Sequence, residues 1–192
     1  MKNVTLAEIK KMARCAYAEL WESARAMGRD VKIYAHWTGG HYEQLFSDYH
    51  FCITGDGTVY AMTDDLAIKK DATYMRNSGS IAITLCCAYD AADENRLGPE
   101  PPTEAQLNAL AQVICVLADA LDLSIDLTHV LTHAEAADNK DGYYACEPYG
   151  PGATVERWDL LVVHQGDTRW SGGDIIRGNA NFYRAQGLLA SI

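Results

Sequence analysis

Long apolar runs are missing from this sequence. No stretch of its 192 residues approaches the roughly 18–20 consecutive apolar residues that cross a bilayer, so insertion into a membrane is not expected. The N-terminus, MKNVTLAEIKKMARCAYAELW, lacks an apolar block followed by a small-residue cleavage site. Synthesis in the cytosol without a signal peptide is the expectation. Positive charge is scarce: 16 Lys and Arg stand against 26 Asp and Glu, a net charge of −10 with histidine neutral. A basic patch able to displace counterions from nucleic acid is therefore not expected, nor is strong attraction to an anionic surface. The six cysteines, Cys15, Cys52, Cys86, Cys87, Cys115 and Cys146, contain no CxxC pair. Without export they are expected to be reduced, most of them in the core. No internal repeat and no linker interrupts the chain, so one domain over residues 1–192 is the expectation.

What is present reads as alternating helices and strands. Thr5 to Met27 predicts a helix: TLAE forms a capping box, and Leu6, Ile9, Ala13, Ala16, Leu20, Ala24 and Met27 recur at three or four residues. VKIYAHW predicts a strand whose alternation puts His36 on the face opposite Val31, Ile33 and Ala35. YHFCIT and TVYAM flank Gly55-Asp56-Gly57, a hairpin signal. GSIAITLCCAY reads as a central strand buried on both faces. Thr103 and Gln106 form a second capping box, ahead of a stripe of Leu107, Leu110, Ile114, Leu117 and Leu121. THVLTHAEAA reads as a short strand running into a turn, and DNKDGYYACEPYGPGATVE as a long polar insertion rich in Gly, Pro and Tyr. RWDLLVV follows it, and GGDIIRGNANFYRAQGLL predicts a C-terminal helix capped near Asp174. The fold class expected is α/β, a mixed central β-sheet flanked by helices.

A hydrolytic zinc site needs three protein ligands and one open position. His36 precedes the TGG loop, where a substrate can approach the backbone, and His133 stands at the end of another strand. Asp159 follows the long insertion. Singly, each has an ordinary reading as a hydrogen-bonded or surface residue, and the number of histidines justifies no metal assignment. His50, next to Tyr49 on a strand, reads as a buried structural histidine and His41 as an exposed loop residue. His129, four residues before His133, is expected on the same strand face as its neighbour.

The order of segments adds to this. YAHWTGG, SDYHFCITGDGTVYAM, NSGSIAITLCCAY, PPTEAQLNALAQVICVLADAL, HVLTHAEAA and ERWDL together resemble the zinc N-acetylmuramoyl-L-alanine amidase family. Its type-2 amidase fold is shared by phage lysins, muropeptide-recycling amidases and animal peptidoglycan recognition proteins. The resemblance spans roughly residues 32–160, about two-thirds of the chain. It implies His36, His133 and Asp159 as zinc ligands. Cys146 remains open as the third ligand, because 26 residues between His133 and Asp159 is a long interval for the family. Asp159 is favoured because Arg157-x-Asp159 keeps the family's basic-x-ligand pattern.

The resemblance also implies Tyr49 and Arg157 as catalytic residues. Many members carry a catalytic Glu in the central strand, where this chain has Thr84, which cannot be a general base at neutral pH. Glu135 is then a candidate acid, or a hydrogen-bonding residue that fixes a ligand. Trp37 and Thr38 beside His36, and Tyr143, Tyr144 and Tyr149 in the insertion, are the candidate substrate contacts; the tyrosines can equally hold only their own loop. The implied substrate is peptidoglycan or a muropeptide. The implied setting is a phage-type lysin acting on the wall after release, or a cytosolic recycling enzyme. A non-catalytic peptidoglycan-binding module is the alternative.

Overall fold

A computed structural model describes residues 1–143 and 158–192. Tyr144, Cys146, Tyr149 and Arg157 lie outside the described residues. The first helix, α1 (Leu6–Ala26), starts where the capping box predicts: the Glu8 N–H donates to Thr5 Oγ1 at 3.3 Å, and the Thr5 N–H to Glu8 Oε2 at 2.8 Å. Its buried stripe is Ile9, Ala13, Ala16, Leu20 and Ala24. The second helix, α2 (Glu104–Ala120), opens on the Thr103–Gln106 box and is buried along most of its length.

Among the described residues, six strands form one sheet: β1 (Lys2–Asn3), β2 (Lys32–Trp37), β3 (Phe51–Ile53), β4 (Val59–Ala61), β5 (Ser80–Leu85) and β6 (Val130–Thr132). Their order is β1-β4-β3-β5-β2-β6. β3 and β4 are the antiparallel hairpin around Gly55-Asp56-Gly57, and β1 adds antiparallel to β4. β5 runs parallel to both β3 and β2, and β6 parallel to β2. The sheet is therefore mixed, and β5, with a partner on each side, is buried from end to end. That matches its near-continuous apolar sequence.

Alternation along β2 divides its side chains between two faces. Ile33, Ala35 and Trp37 join the main core, with residues from α1, α2 and the C-terminal helix α4 (Ser171–Ala185). Tyr34 instead packs with Leu131 and Ala136, in a smaller cluster beside the short helix α3 (His133–Ala137). His36 shares the Tyr34 face, as the sequence pattern predicts.

Two expectations change at the C-terminal side. HAEAA is helical rather than a turn, because Thr132 and Glu135 make a third capping box. His129 therefore lies before β6, not on a strand face with His133; it bonds to Ser124 and Asp126 instead. Helix α4 begins at Ser171, after a left-handed Trp170 with no side-chain cap. Asp174 sits in its first turn, where its carboxylate accepts from Arg177 at 2.7 Å. Among the described cysteines none is bonded to another, and all but Cys15 are buried. No helix among the described residues is long and apolar enough to cross a membrane.

Candidate metal centre

Three elements converge where β2 ends. β2 carries His36, 1% exposed; α3 opens with His133, 8% exposed; and the irregular segment 158–163 carries Asp159, 3% exposed. Asp159 is turned inward by a tight bend in which the Leu161 N–H donates to Trp158 O at 2.8 Å. Leu160 in this bend takes φ +57°, a left-handed conformation that costs a non-glycine residue about 1 kcal/mol or more. The Ala134 N–H donates to Asp159 O at 3.3 Å, joining the bend to the start of α3.

Asp159 Oδ2 lies 3.2 Å from Nδ1 of His36 and 3.2 Å from Nδ1 of His133. The two imidazoles meet edge to face, centroids 4.8 Å apart. On its far side, Nε2 of His36 lies 3.1 Å from Thr73 Oγ1, whose residue is held by the Asn77 side chain. Burial pushes the Asp159 carboxyl up, but the charges and hydrogen bonds of His133 and His36 outweigh it and hold the pKa below its ordinary value.

The donor set suits a divalent cation. All three ligand atoms lie within 4.8 Å of one another. A tetrahedron with bonds of about 2 Å has edges of about 3.3 Å, close to the two His–Asp separations. Asp159 Oδ1 is buried and accepts no hydrogen bond among the described residues, an unsatisfied lone pair of the kind a cation relieves. Two imidazole nitrogens and a carboxylate oxygen are a zinc donor set.

Tyr49 is half-buried against this cluster, its ring 5.2 Å from that of His36. Burial, then the negative charge of Asp159, raises its pKa well above the ordinary tyrosine value; a hydrogen bond from Thr84 opposes them. The phenol stays protonated at neutral pH. Thr84 lies in register with His36 across the β2–β5 pairing.

Other expected residues stand elsewhere. Trp37 is 3% exposed and part of the main core, which corrects its expectation as a substrate contact; the β2 pleat turns it away from His36. The Thr38 hydroxyl braces the loop, accepting from the N–H groups of Gly40 and Cys87 at 3.0 and 3.3 Å. Of the two expected readings of Glu135, an acid or a hydrogen-bonding residue that fixes a ligand, its contacts fit the second. Its carboxylate closes the α3 capping box and receives two hydrogen bonds from Arg177, at 2.8 and 2.9 Å. Tyr143 is half-buried, with the Arg76 guanidinium 5.3 Å from its ring centre.

His50 is the structural histidine its position suggests: Nδ1 accepts from the Ala82 N–H and Nε2 donates to Ile68 O. His41 is exposed, pairs with Glu100 at 2.7 Å and stacks on Tyr89. Thr73 and Arg177 escaped sequence reasoning. Neither lies in a motif, and each acts across 37 or 42 residues of chain.

The family model for N-acetylmuramoyl-L-alanine amidase matches residues 16–147. His36, Tyr49, Thr84 and His133 fall within that span, and Asp159 beyond it. No curated protein matches the chain. Similar solved structures include the Ph2119 endolysin from Thermus scotoductus MAT2119 bacteriophage Ph2119. It is 18% identical, with 56% of this chain and 73% of that one covered and a TM-score of 0.43. The amidase endolysin LysCS of Clostridium intestinale is 17% identical, with coverages of 56% and 70% and a TM-score of 0.41. Drosophila PGRP-LB is 18% identical, with coverages of 56% and 71% and a TM-score of 0.41.

Proposed function

The chain belongs to the N-acetylmuramoyl-L-alanine amidase family, and on that premise we propose that it hydrolyses the amide between N-acetylmuramic acid and L-alanine with zinc as cofactor. The substrate is peptidoglycan or a muropeptide, and residues 1–192 act as one catalytic domain of the phage-lysin type. The observation that carries this reading is the buried His36–His133–Asp159 cluster with its unsatisfied Asp159 oxygen.

His36, His133 and Asp159 hold the cation, which when bound polarises the scissile carbonyl and acidifies water at neutral pH. Asp159 stays ionised beside the two imidazoles, so the site keeps an anionic ligand without taking up a proton. Tyr49 stays protonated, so it is a donor, able to orient water or to hydrogen-bond the oxygen on which charge develops. Arg157, two residues before Asp159, is charged at any working pH and supplies a second donor group for the oxyanion. Tyr143, with Tyr144 and Tyr149, stacks on a sugar ring or covers the stem peptide.

A second reading, a non-catalytic peptidoglycan-binding module, is favoured by Thr84 at the position of the family's usual Glu. One experiment separates the two. Products from intact peptidoglycan and from soluble anhydromuropeptides are analysed by mass spectrometry, with and without a chelator, alongside the protein's zinc content. The hydrolase releases stem peptides with a free N-terminal L-alanine, stops on chelation, and loses at least about a hundredfold in rate as His36→Ala. Muropeptide binding without release identifies the module. Zinc-free protein with all three ligands intact removes the metal reading. Preference for soluble fragments over intact wall points to a cytosolic recycling enzyme rather than a lysin released to the wall.

A further inference from the structure

Two of the three proposed ligands are carried by segments that share one neighbour, the first two turns of α4. This helix lies wholly beyond the residues that match the family. Arg177 is 8% exposed, and its guanidinium grips Glu135 with both terminal nitrogens. It also donates to Val130 O at 3.0 Å and to Asp174 at 2.7 Å. Glu135 in turn closes the capping box at the point where α3 begins, and α3 begins with His133.

Two glycines allow this approach. A Cβ on Gly173 would collide with the Glu135 carboxylate, and one on Gly172 with the Leu160 carbonyl, next to Asp159. The Gly172 N–H donates to Leu161 O at 3.0 Å, inside the bend that turns Asp159 inward.

We propose that Gly172, Gly173 and Arg177 are positioning residues of the metal centre: α4 sets His133 through Glu135, and Asp159 through the Leu160–Leu161 backbone. This rests on the reading of the cluster as a zinc site. The physical basis is that a bidentate guanidinium–carboxylate pair in a buried setting fixes direction as well as distance. Groups that orient ligands from behind tune metal affinity by about tenfold to a hundredfold. The left-handed Leu160 needs the surrounding contacts to persist, and α4 supplies them.

The test compares the wild type with Gly173→Ala, Gly172→Ala, Arg177→Lys, Arg177→Met and the double variant Glu135→Gln/Arg177→Met. Three quantities are read: zinc affinity by chelator competition, the absorption spectrum of the cobalt-substituted protein, and the ¹⁵N imidazole signals of His133 and His50 in metal-free protein. The expected result is zinc binding weakened tenfold or more in Gly173→Ala and in the double variant. The His133 signals and the cobalt spectrum change, while His50 signals and far-ultraviolet circular dichroism do not. Arg177→Lys, which keeps the charge but not the fork, falls between.

Folded variants with wild-type zinc affinity, cobalt spectrum and His133 signals overturn the proposal. If Arg177→Met alone fails to fold, because Glu135 is left buried and unpaired, the double variant and Gly173→Ala decide. If the wild type takes up no zinc, the metal reading falls, and the imidazole signals of His133 still decide the positioning claim.

Discussion

Thr73 and His50 show how single side chains act on this fold. Thr73 Oγ1 engages Nε2 of His36, leaving Nδ1 directed at Asp159. Thr73→Val keeps the shape and removes the hydroxyl. Zinc affinity is expected to fall about tenfold to a hundredfold, with Thr73→Ser close to wild type, in a competition titration against a chromophoric chelator. His50 is 1% exposed, and burial lowers its pKa to about 4 from 6.5. The unfolded chain takes up this proton first, so the contribution is complete above pH 6.5 and is lost as pH falls toward 4. At pH 4.5 the loss is on the order of 2 kcal/mol relative to pH 7. Urea midpoints at the two pH values measure it, and His50→Asn should lack that share of the pH dependence; equal shifts in both proteins would refute the assignment. The buried role of His50 is legible from the β-rich run it opens, although it lies in the bend just before β3 rather than on the strand; Thr73 carries no signal, because its partner lies 37 residues away.

Helix α2 shows how an element is placed as well as started. Gln106 completes the capping box through its Oε1, and its Nε2 donates to Ile53 O and Cys86 O, both at 2.9 Å. One buried amide thus ties the helix to the ends of β3 and β5. Gln106→Ala removes the side-chain half of the capping box and leaves the Cys86 carbonyl without its partner, while Ile53 O keeps the Cys86 N–H, for an expected loss of about 1–3 kcal/mol in urea unfolding. Capping boxes at Thr5 and Thr103 were legible because their spacing is local, three residues each. The same signal stands at Thr132 and Glu135, but five residues of helix between a strand and a polar insertion are too short for periodicity to reveal. The cap of α4 was misplaced for a related reason: Asp174 looks like an N-cap, yet its carboxylate is drawn to Arg177 one turn further on.

At the scale of the whole molecule, the proposed zinc joins β2, α3 and the segment after the insertion, so metal binding and global stability are coupled. A cation at a thousandfold over its dissociation constant adds about 4 kcal/mol. For a chain of this size, chelation should lower the melting temperature by roughly 10 °C in calorimetry, and His36→Ala should not respond. The mixed α/β architecture, the hairpin, the buried central strand and the face on which His36 lies were all determined by the sequence alone. Each depends on alternation or spacing within one segment, where a residue's direction follows from its neighbours in the chain. Only the tertiary structure could bring Asp159 to within 3.2 Å of two histidines and commit Glu135 to Arg177. Those outcomes depend on which segments meet after the sheet is built, and on burial, which makes an ionised group seek a partner wherever the fold supplies one.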